Sequence, residues 1–351
     1  MKQIPNRRAA GLSLIELMIA LLIGTILILG VTQVFGASRA AYQLSEGMSR
    51  VQENGRFALD YLQRDIRMAG HFGCVNDQAR RQATGALDSH FTGAALNFGY
   101  SIQGYENASP AGVTLSPARV AGTDAVVLRF LRGNGIPITA IDATGVNVDA
   151  TKWSVLTDGG VATPSMFGIA DCAFADVFAA SSVNAGTGRV VVPATVDLGR
   201  YGASPEGGPA MLYRAEAVVY YIGQGAGGQP SLWRARINPD NSVTGEELVE
   251  GIENLQLRYG LDKGTAAKPT GYIATQAVAS GVGSTEDAWR LVGQVQVALL
   301  AASPDVAASA QATRDEGRLT LFGATVTPPA DRRYRTVYET TIALRNRLYG
   351  N

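Results

Sequence analysis

The chain has 351 residues, of which 46% are hydrophobic and 17% charged, so it can build a core and is not a highly charged disordered chain. Its 30 basic and 30 acidic side chains balance, and nothing in that balance points to nucleic acid as the main partner. The histidines are His71 and His90 and the cysteines Cys74 and Cys172, a supply that argues against catalysis built on histidine clusters.

The first forty residues carry the strongest signal. Between Arg8 and Arg39 lies one charge, Glu16, in an apolar stretch long enough to cross a bilayer as a helix, for which about 20 residues suffice. Lys2, Arg7 and Arg8 precede it, which keeps the N-terminus in the cytoplasm and sends the rest outward. A cleaved secretory signal fits poorly, because Phe35-Gly36-Ala37 is a weak small-x-small site. An uncleaved anchor has no use for Glu16, since a carboxylate at the centre of a membrane helix costs about 2.5–3.5 kcal/mol, and less toward its end. A cut after Gly11 would supply the missing cation, placing a new amine on Leu12 about one helical turn from Glu16.

The run Gly11-Leu12-Ser13-Leu14-Ile15-Glu16-Leu17 resembles the class III signal of type IV prepilins and pseudopilins: a short basic leader ending in glycine, a hydrophobic first mature residue and glutamate at the fifth mature position. The resemblance implies that a prepilin peptidase cuts between Gly11 and Leu12 and methylates the Leu12 amine, and that Glu16 sets register in a growing filament. Leu12 stands where phenylalanine is usual. Gln33 stands where many major pilins carry a helix-breaking proline, so the same kink is not expected. Loss of residues 1–11, with Lys2, Arg7 and Arg8, leaves 27 basic against 30 acidic side chains, a mildly acidic mature protein.

Beyond the membrane stretch, Leu44, Met48, Val51, Gly55, Ala58, Leu62, Ile66 and Ala69 recur at steps of three and four, one face of a helix packed on a core. Glu46 with Arg50 and Asp60 with Arg64 support it as i,i+4 pairs. One helix from about Leu12 to Ala69 is expected, with Gly70 and Gly73 as terminators. Strands are expected over Ala125–Phe130, ended by Gly133-Asn134-Gly135, over Ala217–Ile222 and Ser231–Ile237 as a hairpin, and over Leu291–Leu300 and Tyr334–Leu344. Regions 78–118, 142–165, 182–210 and 262–286 read as loop-rich insertions. The expected class is α+β: a leader at 1–11, a membrane half-helix at 12–38, an amphipathic half-helix at 39–70 and a β-rich periplasmic head at 71–351.

A second resemblance rests on Met68-Ala69-Gly70-His71-Phe72-Gly73-Cys74, Ile169-Ala170-Asp171-Cys172-Ala173, the run from Leu248 to Gly260 and Thr341-Ile342-Ala343-Leu344-Arg345-Asn346-Arg347. These segments are similar to the PilW family of minor pilins, which is related to the J-type pseudopilins of type II secretion. The likeness implies a non-enzymatic, low-abundance subunit of the complex that primes pilus assembly and sits at the pilus tip. Its implied partners are prepilin peptidase, other minor pilins, the major pilin, a PilY-type tip adhesin and the inner membrane. A J-type pseudopilin is the nearest alternative, and a membrane-anchored periplasmic enzyme or binding module the more distant one.

Cys74 and Cys172 form an even pair in a chain sent to an oxidising compartment, so a disulfide is the default. Zinc held by both cysteines with His71 and His90 is the competing reading, weakened by the absence of a C-x-x-C. Asp240-Asn241-Ser242-Val243-Thr244-Gly245 resembles the start of a calcium loop, but Gly251 stands where a bidentate glutamate belongs, which favours a turn. Arg332, Arg333, Tyr334, Arg335, Arg345, Arg347 and Tyr349 interleave basic and aromatic residues as a DNA surface can, yet Asp331 and Glu339 in the same run favour a solvated strand. No cofactor, metal or catalytic residue is expected. Gly24, Gly30 and Gly36 are candidate close-approach points for neighbouring helices.

Overall fold

The computed structural model describes residues 13–74, 86–202, 210–265, 269–307, 319–329, 331–344 and 346. One helix, α1 (Leu14–Met68), spans 55 residues, ~82 Å at 1.5 Å per residue. It starts where Ser13 and Glu16 close a capping box, satisfying backbone donors that have no partner inside the helix. Past Ala69 the chain turns through Gly70 and Gly73, whose φ values of 77° and 71° suit glycine. The buried face of α1 is Gly47, Val51, Gly55, Ala58, Leu62, Asp65 and Ile66, so the expected stripe is present with one unexpected acid.

The strands are β1 (Leu87–Ser89), β2 (Ile102–Tyr105), β3 (Ala125–Asp142), β4 (Gly145–Val148), β5 (Met166–Ala170), β6 (Ala175–Ala179), β7 (Ser182–Asn184), β8 (Arg189–Val191) and β9 (Met211–Gln224). They continue with β10 (Pro230–Ile237), β11 (Val243–Glu250), β12 (Ile252–Asp262), β13 (Ile273–Ala277), β14 (Val292–Val306), β15 (Leu319–Leu321), β16 (Ala324–Val326) and β17 (Arg333–Ala343). A large sheet runs β1-β6-β5-β9-β3-β4-β8-β7, with β2 added to β3, β10 to β9 and β11 to β10. A second, antiparallel sheet runs β13-β12-β14-β17.

The upper half of α1 lies between the two sheets. Val51, Ala58, Leu62 and Ile66 meet Leu255, Leu257, Val297 and Leu299 of the small sheet and Val126, Leu128, Val218 and Tyr220 of the large one. The opposite face of the large sheet buries Phe72, Phe98, Val127, Val219 and Tyr221 in a separate core. At Gly55 the helix comes so close to β17 that an added Cβ would stand 2.4 Å from the Tyr338 ring.

Two expectations are corrected. The strand begun at Ala125 does not end at Gly133-Asn134-Gly135: β3 runs on to Asp142, with its register against β9 broken between Arg132 and Ile136. Gly133 and Gly135 take φ of 75° and 68° and form a bulge, because the glycines that end a strand also permit an irregularity within one. The regions read as loops hold β1, β2, β4, β7, β8 and β13, each of three to five residues and too short to show a period.

Candidate assembly surface

At the start of α1, Glu16 Oε2 accepts from the Ser13 amide at 3.0 Å, while the Glu16 amide donates to Ser13 Oγ at 3.3 Å. The carboxylate thus sits at the positive end of the helix dipole, beside the backbone one residue from Leu12. Gly11 and Leu12 themselves lie outside the described residues. From Leu14 to Phe35 the large apolar side chains are exposed, Leu14 by 77% and Phe35 by 70%, over a stretch long and apolar enough to cross a membrane. The two hydroxyls in this segment turn back on the helix, Thr25 to the Leu22 carbonyl at 2.8 Å and Thr32 to that of Leu29 at 2.9 Å, so neither is left unpaired in lipid. Nothing lies within 4 Å of a Cβ built at Gly24, Gly30 or Gly36, which leaves these positions open to another helix.

The head grips the helix from Gly47 onward, where an added Cβ would meet Ala307 and Ser303. Farther along, Asp65 enters a polar joint. Tyr220 Oη donates to Asp65 Oδ2 at 2.7 Å, and Arg234 lies 3.4 Å from the same oxygen and 2.8 Å from Glu246. Burial and the Asp65 charge push the Tyr220 phenol well above its ordinary range. Burial works against the Arg234 charge, but the neighbouring carboxylates of Glu246 and Asp65 favour it, and the net shift is upward.

Cys74, shortly after α1, is bonded to Cys172, which follows β5, with Cα atoms 4.6 Å apart. The bridge ties the end of the helix to the large sheet and removes both sulfurs from any zinc site. Each histidine has another partner: His71 Nδ1 faces the Leu131 carbonyl at 2.7 Å, and His90 Nε2 lies 2.5 Å from Asp176 Oδ1. The calcium-like run forms the turn between β10 and β11, where Asp240 accepts from the Ser242 amide at 2.9 Å and Asn241 takes φ 63°. Arg335 is committed to Glu253 and Asp331, and Arg333 to Gln229 and Asp331, so two of the basic residues in the final strand are neutralised within the head. Arg345, Arg347 and Tyr349 lie outside the described residues.

Sequence reasoning passed over several buried charges, three of which hold distant parts of the chain together. Asp65 is one. Arg129 is fully buried and bonds carbonyls of Ala95, Tyr100 and Ala94, at 2.8, 2.7 and 3.2 Å; burial lowers its pKa to about 10. Asp176 gathers His90, Arg200 and the Tyr201 hydroxyl. Each lies within or next to apolar strands or stripes, where the one-dimensional pattern gives no sign of its distant partners.

A helix with an unshielded apolar half, an acid at its tip and a β-rich head clamped to its other half has the architecture of a type IV pilin-like protein. Residues 219–346 match the family described as Type IV Pilus-assembly protein W, and residues 6–32 match the prokaryotic N-terminal methylation motif. Together the two matches support a reading of the chain as a type IV minor pilin of the PilW kind. A comparison with curated proteins returns no match. Among solved structures, a type IV-like pilin from Thermus thermophilus is similar at 13% identity and a TM-score of 0.35, over 86% of this chain and 99% of that one.

Proposed function

We propose that the protein is a low-abundance subunit that helps to prime type IV pilus assembly and remains in the tip complex, supporting pilus-dependent motility or adhesion. The observation that carries this reading is the tip of α1: an acid held by the Ser13 amide, at the head of an apolar helix with no cover of its own among the described residues. The basic leader holds the N-terminus in the cytoplasm and the head enters the periplasm. Prepilin peptidase cuts after Gly11 and methylates Leu12. The new amine then stands opposite Glu16, and the charge pair sets the axial register as the helix leaves lipid for a bundle of similar helices from other minor pilins and the major pilin. Open approaches at Gly24, Gly30 and Gly36 favour that packing. A PilY-type adhesin is the further partner this reading places at the tip.

Mass spectrometry of the native protein tests the first step. The expected N-terminus is methylated Leu12, and Gly11→Val is expected to leave full-length precursor in the membrane. An unprocessed wild-type N-terminus contradicts the reading.

A further inference from the structure

The small sheet ends on β17, which among the described residues pairs only with β14. Arg335 to Ala343 run opposite Ala302 to Gln294 without a break in register. The Leu344 amide donates to the Gly293 carbonyl, so residues of even number in β17 face β14 with their backbone groups. Arg335, Val337, Glu339, Thr341 and Ala343 therefore turn their N–H and C=O groups outward, and no backbone bond from any described residue outside the strand reaches them.

The remaining outer strands are short or irregular, whereas the register break of β17, between Ala302 and Val306 of β14, leaves Arg335–Ala343 regular. Strands β1, β2, β7, β15 and β16 have three or four residues, β13 has a register break opposite β12, and β11 has one opposite β10 and carries Glu246, Glu247 and Glu250. Over Arg335–Ala343, β17 has no proline, lysine or bulge and is rich in β-branched residues, the composition of an edge that pairs readily. Glu339 is exposed and heads a row that continues through Ala298 and Gln256, so no cation answers it across the sheet. On the other face, Tyr334 and Tyr338 are half-buried against the α1 core and would be covered by one more strand.

We propose that the outer edge of β17 is a strand-addition site for an extended segment of another assembly subunit, with β-branched residues facing α1 and a lysine or arginine beside Glu339. Backbone pairing along the edge supplies affinity, and the cation fixes register. The inference rests on the proposed function only for the origin of that strand.

The test uses the full chain in detergent micelles and a labelled nine-residue peptide that alternates threonine and valine, with lysine at its centre. Saturable binding is expected, with hydrogen exchange at the Val337, Glu339 and Thr341 amides slowed about tenfold or more. Thr341→Pro removes one outward N–H without touching the ladder to β14, so the melting temperature holds while binding weakens about tenfold. A peptide with central glutamate binds about tenfold more weakly to the wild type, and Glu339→Lys restores it, an arm that stands even if the proline variant does not fold. Failure to bind, amides equally slow without peptide, or unchanged binding by both variants overturns the proposal. Leader cleavage and filament incorporation do not enter this measurement, so either reading can fail alone.

Discussion

Tyr220 on β9 donates to Asp65 on α1 at 2.7 Å, so the acid on the buried face of the helix is fastened to a central strand of the head. Arg234 shares that carboxylate and reaches on to Glu246. The joint fixes how the head is carried on a helix whose lower half belongs to another environment. Asp65→Ala strips Tyr220 of this partner and leaves Arg234 with Glu246 alone, and chemical unfolding should show a loss of about 2–4 kcal/mol. Tyr220→Phe should cost about 1–2 kcal/mol, and the double variant less than the sum, because both changes break one bond.

Gly55 and Tyr338 form a second contact between helix and head. Alanine usually favours a helix over glycine by about 1 kcal/mol. Here its methyl group would drive into the Tyr338 ring at 2.4 Å, so Gly55→Ala should lower stability by about 1–2 kcal/mol after that gain is counted. In a Tyr338→Leu background the same change should be neutral or stabilising in a thermal melt.

Cys74 and Cys172 close a loop with a sequence separation of 98, and on chain-entropy grounds their bond contributes about 4–5 kcal/mol. Native protein should show no free thiol before reduction, and either Cys→Ser change should lower the melting temperature. Two thiols that alkylate freely in native material would refute the bridge.

The helix stripe, the β9–β10 hairpin and the cysteine pair were legible in the sequence because each depends on local spacing or on the exhaustion of alternatives. Buried charges were not. Asp65 looks like any acid on a charged helix until Tyr220 and Arg234, 155 and 169 residues away, are folded against it. The bulge at Gly133–Gly135 was hidden for another reason: the same glycines serve a turn or an irregular strand, and only pairing with β9 decides between them. Of the candidate surface, the apolar half of α1 and the lone acid at its start are plain in the sequence, whereas the open edge of β17 required the sheet order.

Asp176 supplies a pH dependence. Burial raises its pKa, but bonds from His90, Arg200 and Tyr201 outweigh this and hold it below the ordinary value of 3.8. A carboxyl depressed in the folded state contributes stability that is complete above 3.8 and lost as pH falls through the lower folded value. Melting temperature should therefore decline as pH falls below 3.8, and Asp176→Asn should start lower at neutral pH and show a shallower decline.

The central claim is that Glu16 acts in the assembled state, after cleavage, and it is tested most directly by counting pili on cells that express Glu16→Ala at the native level. Membrane insertion and cleavage before Leu12 should persist in this variant, since the acid is a cost in lipid. Pili per cell should fall markedly, while the pili that form keep normal structure, as the proposed role of a scarce tip subunit predicts. Normal pilus numbers and normal twitching with Glu16→Ala would contradict the account.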